Sequence, residues 1–455
     1  MKIKSIITLL SLVFILGSCD KLLDLEPGNE VLEDVALQTT EDMQNLLNSS
    51  YDVMANTYYG AYQNLGELLS YNLSIPRAHN DYTEVYNRAT IFFNGTVGDL
   101  FGEPYTSIYR ANYLMDSYDL IDDFKEEDRI RLEAEAKFIR GLSHFEIVNL
   151  FAQPYGYTSD NSHLGVPLRL SVTPEALPRS TVKEVYDQVL ADLNYAKDNL
   201  PEHNGIYADR YAAYAMLARV YFQMNDFEKA AEAAAVVINE GNYVLDSLNV
   251  RWSEEISSEN IFTLVIASSD NRNKAFNNYR SDNTEIPELY ASREYVEGLY
   301  GQNIPTSDER SKWFVKMAPT SPNYYYNINK FNRNYFNIPY LHLSEILLIH
   351  AESLAELGTD LTTAVIDINT VRERSGVSFL NENSTPEAII AAARVEREKE
   401  MIGEGRIIFD LKRRGAKGEN VEIRNAPWDC NGMALQFPIS ENTSVFEMNP
   451  TGGCN

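Results

Sequence analysis

The sequence predicts a mainly α fold: paired helices stacked into a scaffold, carrying an irregular, loop-rich region with minor β ribbons. Three observations predict it. Apolar residues recur at helical spacing through two long blocks, about residues 40–240 and 340–415. Between the blocks, residues 245–340 hold scattered aromatics, asparagines and prolines with little helical period. The chain has 455 residues and is 44% hydrophobic, so it can bury a large core.

The first segment reads as an address rather than as part of the fold. Lys2 and Lys4 precede an apolar run from Ile6 to Leu16, then Gly17, Ser18 and Cys19. Basic start, short apolar middle and small residues before a cut make a secretory signal. The run is about half of the roughly 20 residues a membrane-spanning helix needs. The order Leu16-Gly17-Ser18-Cys19 resembles a bacterial lipobox, which makes residues 1–18 a signal peptide and Cys19 the lipidated start of the mature chain. An ordinary secreted protein with an incidental cysteine is the other reading. Each buried acyl CH₂ contributes about 0.8 kcal/mol, so several chains on Cys19 would form a stable tether. Residues 19–40, mixed acidic and apolar around Pro27-Gly28, read as a stalk. No later apolar run is long enough to span a membrane, and no Gly/Ser linker divides the body. Residues 41–455 are therefore expected to form a single domain.

Within the body, Met43, Leu46, Leu47, Tyr51 and Met54 follow helical spacing, and Thr39 with Asp42 imitates a capping box. A long helix is expected across "EEDRIRLEAEAKFIRGLSHFEIVNLFA", ending before Pro154. Thr181 and Glu184 form a capping box for the next, and Pro201 marks its end. Two helices of similar length then meet at Asn225-Asp226. Tyr214, Leu217, Ala218 and Tyr221, then Phe227, Ala230, Ala234 and Val237, are spaced as in a tetratricopeptide unit. Small Ala218 and Ala230 let two helices approach closely while aromatics fill the gaps. One unit cannot bury its faces alone, so neighbours are expected. "YLHLSEILLIHAESLAELG" and "LTTAVIDINTVRERSG" make a second pair around Gly358, and helices near 101–121 and 127–152 a third. In the middle, "NIFTLVIA" reads as a buried strand and "NYYYNINKFNRNYFNIPY" as a β ribbon. Residues 60–100 read as further loop-rich material.

Composition excludes several functions. A net charge of −27 repels nucleic acid and anionic lipid surfaces. No G-x-S-x-G elbow, phosphate loop, CxxC, HExxH or EF-hand loop occurs, so no catalytic site, metal or cofactor is predicted. The six histidines are scattered. Cys430 and Cys454 are left for a disulfide or for two free thiols, because sequence does not fix their separation.

Several stretches, in shared order, resemble one family: the SusD/RagB nutrient-binding lipoproteins of Bacteroidota. They are the lipobox with "LDLEP", "EAEAKFIRGLSHFEIVNLFAQPYG" with "GVPL", "RSTVKEVYDQVLADLNYAKDNLP", "RYAAYAMLARVYFQMNDFEKAAEAAAVVI", "YLHLSEILLIHAESLAELG", "AVIDINTVRERSGV", "RVEREKEMIGEGRIIFDLKRRG" and "LQFPISENTSVFEMNP". The resemblance implies a tetratricopeptide-like scaffold with the ligand site on its irregular region. It also implies a lipid-anchored protein of the outer membrane's cell surface that captures oligosaccharides, or in some members peptides. Such a protein passes its ligand to a SusC-like TonB-dependent transporter without catalysis. A tetratricopeptide protein-interaction scaffold is the alternative outside the family. After Gly403-Glu404-Gly405 one aromatic slot of the family's motif is aliphatic here. Glu404, Arg406, Asp410 and Arg413 are read as a structural charge network.

Sugar recognition needs flat aromatic faces beside planar polar groups, and tyrosine supplies both. Residues 77–88 offer Asn80, Asp81, Tyr82, Tyr86 and Arg88, where relatives carry ligand-contacting loops; a solvated loop with two half-buried tyrosines fits the same residues. The insert offers Asn277, Tyr279, Arg280, Tyr290, Tyr295 and Trp313. Of Tyr324, Tyr325 and Tyr326 at least one is expected to pack inward, and Trp252 is expected in the core.

Overall fold

The computed structural model describes residues 37–454, apart from 71–72, 76–78, 122–123, 267–278, 280–287, 319, 322, 332 and 334–335. The signal segment, Cys19 and the stalk up to residue 36 lie outside the described residues, as do Asn277 and Arg280.

Helices dominate. Thr40–Thr57 (α1) starts at a capping box in which Thr39 and Asp42 each satisfy the other's backbone N–H. Ala61–Leu69 (α2) and Asn80–Tyr86 (α3) follow, then Gly95–Asp116 (α4) and Glu126–Phe151 (α5). Val182–Asn199 (α6) opens on the Thr181/Glu184 box, with Thr181 N–H donating to Glu184 Oε2 at 2.8 Å. Arg210–Gln223 (α7) and Phe227–Glu240 (α8) form the hairpin expected at Asn225-Asp226. Ala218, Ala230, Ala234 and Val237 are fully buried in it. Arg293–Tyr300 (α9) lies within the insert. Leu343–Leu357 (α10) and Leu361–Arg374 (α11) turn at Gly358, whose φ of 67° suits glycine. Pro386–Glu400 (α12) and Ile407–Ala416 (α13) complete the set.

The helices pack as a stack of pairs. α1 lies on α4, α4 on α5, α5 on α6, α6 on α7, α7 on α8, α8 on α10, and α10 on both α11 and α12. Each pair leaves an apolar face that its neighbour covers, as a helical-repeat scaffold requires. One core runs through most of the described chain, and a second, around Leu348, Ile368 and Ile389, lies among α10, α11 and α12. Among the described residues no helix is long and apolar enough to cross a membrane.

The strands are minor. Leu73–Ser74 (β1), Tyr290–Ala291 (β3), Tyr325–Ile328 (β5) and Phe314–Met317 (β4) form an antiparallel sheet in the order β1-β3-β5-β4. Asn260–Leu264 (β2), the expected buried strand, pairs with Ile338–His342 (β6), which leads directly into α10. Glu422–Ile423 (β7) and Ala426–Pro427 (β8) form a small hairpin. Tyr326 packs inward and Trp252 is in the core, as expected.

Residues 60–100 differ from the expected loop. α2, α3 and the first turn of α4 make them largely helical. Tyr62, Leu65, Leu68 and Leu69 are all buried and follow helical spacing, but α2 has only nine residues and was too short to stand out.

Buried ion pairs lock the insert to the scaffold. Glu400, at the end of α12, accepts from Arg251 (2.9 Å), Arg310 (3.1 Å) and Arg374 (2.6 Å). Lys330 reaches Glu404 at 2.5 Å, and His342 Nε2 meets the same carboxylate at 3.0 Å. Arg406 holds Glu146 with contacts of 2.8 and 3.0 Å, and Tyr62 and Tyr340 donate to that carboxylate too. Arg413 bridges Asp410 and Glu352 at 2.6 and 2.8 Å. The four charged residues read from the Gly403–Arg413 stretch thus sit in buried networks.

The motif glycines have a separate reason. Gly403 and Gly405 have φ of 77° and 72°, and both backbone N–H groups donate to Glu67 Oε1 on α2, at 3.1 and 2.9 Å. A Cβ on Gly66 of α2 would lie 2.3 Å from the Gly405 carbonyl oxygen. Loop and helix therefore touch backbone to backbone.

Cys430 and Cys454 form a disulfide, with Cα atoms 5.2 Å apart. It closes the C-terminal tail, which is also held by Asn449 Nδ2 donating to the Phe151 and Leu435 carbonyls at 2.8 Å each.

Candidate functional site

α2 is the platform on which the site is built. The glycine loop clamps it through Glu67, and Asn64 is buried within it. Asn64 Nδ2 donates to Tyr82 Oη at 3.0 Å, and Tyr279 Oη donates to Asn64 Oδ1 at 2.5 Å. One amide thereby ties α3 to the insert. Two segments expected to carry ligand contacts do meet, but they meet in the interior. Tyr82 is 6% exposed, stacked on His79 with ring centroids 4.2 Å apart, and Tyr279 is fully buried. Neither ring offers a face to a ligand. The expectation that they form a platform is corrected: both are supports, since a tyrosine whose hydroxyl finds a buried partner gains by burying its ring.

The other expected residues divide similarly. Asp81 is half-buried, and its Oδ2 accepts from both Thr96 N–H and Thr96 Oγ1 at 2.9 Å, fastening α3 to the start of α4. Asn80, the first residue of α3, is exposed. Trp313 is 6% exposed, with Lys330 Nζ 4.6 Å above its ring, so it belongs to the core and not to a surface platform. Its segment is tied down by the Arg310 ion pairs, which sequence alone did not reveal. Arg88 is 4% exposed.

Tyr86 and Tyr290 remain half-buried. Tyr290 pairs with Ser74 across β1 and β3, and its ring lies 4.6 Å from that of Tyr325. Tyr86 lines a cleft of about 590 Å³. It is lined by Ser74, Tyr86 and Arg424, by Ser292, which caps α9, with Glu294 and Tyr295 of that helix, and by Glu398 of α12. The volume falls within the range of ordinary small-molecule sites, roughly 300–1,000 Å³. The cleft brings Tyr86 of the 77–88 segment together with Tyr295 of the insert, two segments that the sequence offered separately. A pocket of about 40 Å³ lined by Arg219, Arg397 and Arg406 is too small for a saccharide.

Arg424, Glu294 and Glu398 were missed. Arg424 lies in the two-residue turn between β7 and β8, far along the chain from α3. Its guanidinium stacks over the Tyr86 ring at 4.0 Å, and its Nη2 donates to the carbonyls of Tyr86 (2.5 Å) and Leu68 (3.1 Å). Only the fold brings these together. The result is a cleft that combines a stacked aromatic and guanidinium surface with carboxylates and serine hydroxyls. That surface suits a ligand with apolar C–H faces and many hydroxyls.

Comparisons with known proteins agree along almost the whole chain. A family described as starch-binding and associating with the outer membrane matches residues 21–222, and the SusD family matches residues 218–437. SusD-like protein P2 of Formosa agariphila is 27% identical, across 97% of this chain and 94% of that one. SusD-like protein P38 of the same organism is 23% identical across 86% of each. The solved structure of a SusD superfamily protein from Bacteroides thetaiotaomicron superposes with a TM-score of 0.79 at 24% identity, covering 90% of this chain and 100% of that one. A SusD-like carbohydrate binding protein from Bacteroides vulgatus gives a TM-score of 0.73 at 19% identity, covering 92% and 91%.

Proposed function

Because this chain belongs to the SusD/RagB family, whose N-terminal part is described as starch-binding and associating with the outer membrane, we propose that it is a surface lipoprotein that captures oligosaccharides in the Tyr86 cleft. The observation that carries this reading is that one open cleft is lined both by Tyr86, stacked with Arg424, and by the polar groups of Ser74, Ser292, Glu294 and Glu398. Cys19 anchors the mature chain to lipid, and residues 41–455 act as one folded unit above it. The captured saccharide passes intact to a SusC-like TonB-dependent transporter. The cleft holds hydroxyl groups without positioning a nucleophile, and modest affinity serves release.

A glycan array probed with the mature protein, followed by calorimetry on the best binder, tests this reading. Tyr86→Ala should weaken binding about tenfold, the scale of losing one aromatic anchor. Unchanged affinity in that variant moves the site elsewhere. Shortened oligosaccharide after long incubation overturns the non-catalytic role. Cys19→Ser should abolish incorporation of labelled palmitate in cells; retained label removes the anchor assignment.

A further inference from the structure

A second cleft, of about 440 Å³, shares no lining residue with the Tyr86 cleft. Gly98, Gly102 and Tyr105 of α4 line it together with Arg169 and Glu441. Its lining is fastened in place. Tyr105 Oη donates to the Pro167 carbonyl at 2.8 Å, and Ile439 N–H donates to the Phe92 carbonyl at 3.0 Å. The opening is thus formed before any ligand arrives, and its volume suits a small ligand.

Two charged groups in this cleft are not satisfied by the fold. Glu441 is half-buried, and its carboxylate accepts no hydrogen bond among the described residues. Burial pushes that carboxyl up, and the Arg169 charge offsets part of the rise. Arg169 is half-buried as well. Its Nη1 donates to the Thr173 and Glu175 carbonyls at 3.5 and 3.3 Å, which leaves Nε and Nη2 without a partner among the described residues. Acid and base feel each other's charge, yet they make no direct ion pair. None of these free atoms is sealed from water, so a ligand can reach them.

Gly102 supplies an independent observation. It stands inside α4, where glycine costs about 1 kcal/mol relative to alanine. Its φ is not positive, and a Cβ there would meet nothing within 4 Å. Neither backbone geometry nor packing within the protein requires a glycine. Close approach of a ligand to the backbone does.

We propose that this cleft is a second oligosaccharide site, in which Glu441 and Arg169 grip neighbouring hydroxyls of one sugar ring over the bare backbone at Gly102. The inference rests on the reading above that the protein takes oligosaccharides, and it adds a place where one is held. A hydroxyl both donates and accepts. One can donate to the Glu441 carboxylate while the next accepts from the Arg169 guanidinium, and such charged hydrogen bonds are the stronger kind. A ring lying on α4 needs the space that any larger residue at 102 would fill.

Calorimetry on the mature full chain tests this, with maltotetraose and the tetrasaccharide that binds best on the glycan array as probes. At least one probe should bind at two molecules per chain. Gly102→Leu should reduce that to one without lowering the melting temperature. Glu441→Gln should weaken one of the two events about tenfold. Tyr86→Ala should weaken only the other event. One molecule per chain, indifferent to Gly102→Leu, sinks the second site and leaves the Tyr86 reading standing. One molecule per chain, lost in Gly102→Leu and indifferent to Tyr86→Ala, keeps this site and sinks the Tyr86 cleft. No binding by any tetrasaccharide on the array sinks both. An arginine and a glutamate also suit a zwitterion, so dialanine is the control. If dialanine alone responds to Gly102→Leu, the ligand class is wrong and the proposal fails. Should Gly102→Leu not fold, a wild-type stoichiometry of one that Glu441→Gln leaves unchanged still overturns it.

Discussion

Tyr82 and Tyr86 stand four residues apart on one short helix, yet the structure gives them opposite duties. Tyr82 is locked by Asn64 and His79, whereas Tyr86 faces the cleft under Arg424. Tyr82→Ala should therefore destabilise the protein by about 3 kcal/mol, the usual cost of emptying a buried aromatic site. Tyr86→Ala should cost clearly less, about 1 kcal/mol, because part of its ring is already in water. Thermal melts of the two variants check this; equal destabilisation would erase the distinction. Composition marked the right segment but not which ring turns inward. That choice is made by Tyr279, which is 215 positions from Asn64 in the chain.

At the scale of elements, capping residues and helical period made most of the scaffold readable. The Thr39 and Thr181 boxes, the Asn225-Asp226 hairpin and the Gly358 turn lie where local chemistry puts them. The short helices α2, α3 and α9 were not readable, since segments of seven to nine residues owe their shape to tertiary contacts. The loop of Gly403 and Gly405 was legible as a motif but not as a clamp. Gly405→Ala must fit a Cβ 2.7 Å from the Gln63 Cα, in a left-handed conformation. It should cost more than about 2 kcal/mol and loosen α2. Urea unfolding measures the cost, and faster amide exchange across residues 61–69 reports the loosening. A variant as stable as wild type would remove the clamp. The tail closure is an element-scale device as well. Cys454→Ser opens a ring with a sequence separation of 24 and should lower stability by about 3 kcal/mol in the chain-entropy model. The same shift should follow reduction of the wild type with dithiothreitol; a melting curve indifferent to reductant contradicts it.

For the whole molecule, charge decides the response to acid. Burial pushes the Glu404 carboxyl up, but Lys330 and His342 overcome it and hold it at about 2. Glu400 is held well below the carboxylate range by Arg374, Arg251 and Arg310, against its own burial. Glu352 is lowered likewise by Arg397, Arg413 and Arg394. Burial, with the Arg140 charge, pushes His144 down to about 3. In each case the unfolded chain binds the proton first. Stability should thus fall gently as pH drops through 6.5, where an unfolded His144 protonates, and steeply from about 4.5 towards 2. Asp209, raised to about 6 by burial, and Glu103, Glu135, Asp367 and Glu441, also pushed up mainly by burial, act in the opposite sense and blunt the loss over part of that range. Urea midpoints from pH 7 to pH 3 measure the profile; a flat line below pH 4.5 contradicts it. None of these pairings was visible in the sequence beyond the Gly403–Arg413 stretch, because the partners of each charge come from other helices.

Asn64 carries one last implication. Its nitrogen donates to one phenol and its oxygen accepts from the other, so a single amide rivets α3 to the insert. Replacing either tyrosine breaks one half of that link inside the core, so the keel of the molecule should tolerate substitution poorly. Ser292 and Glu294 at the rim of α9 carry no such buried link. New diets would be acquired there, by repainting a surface whose underframe does not move.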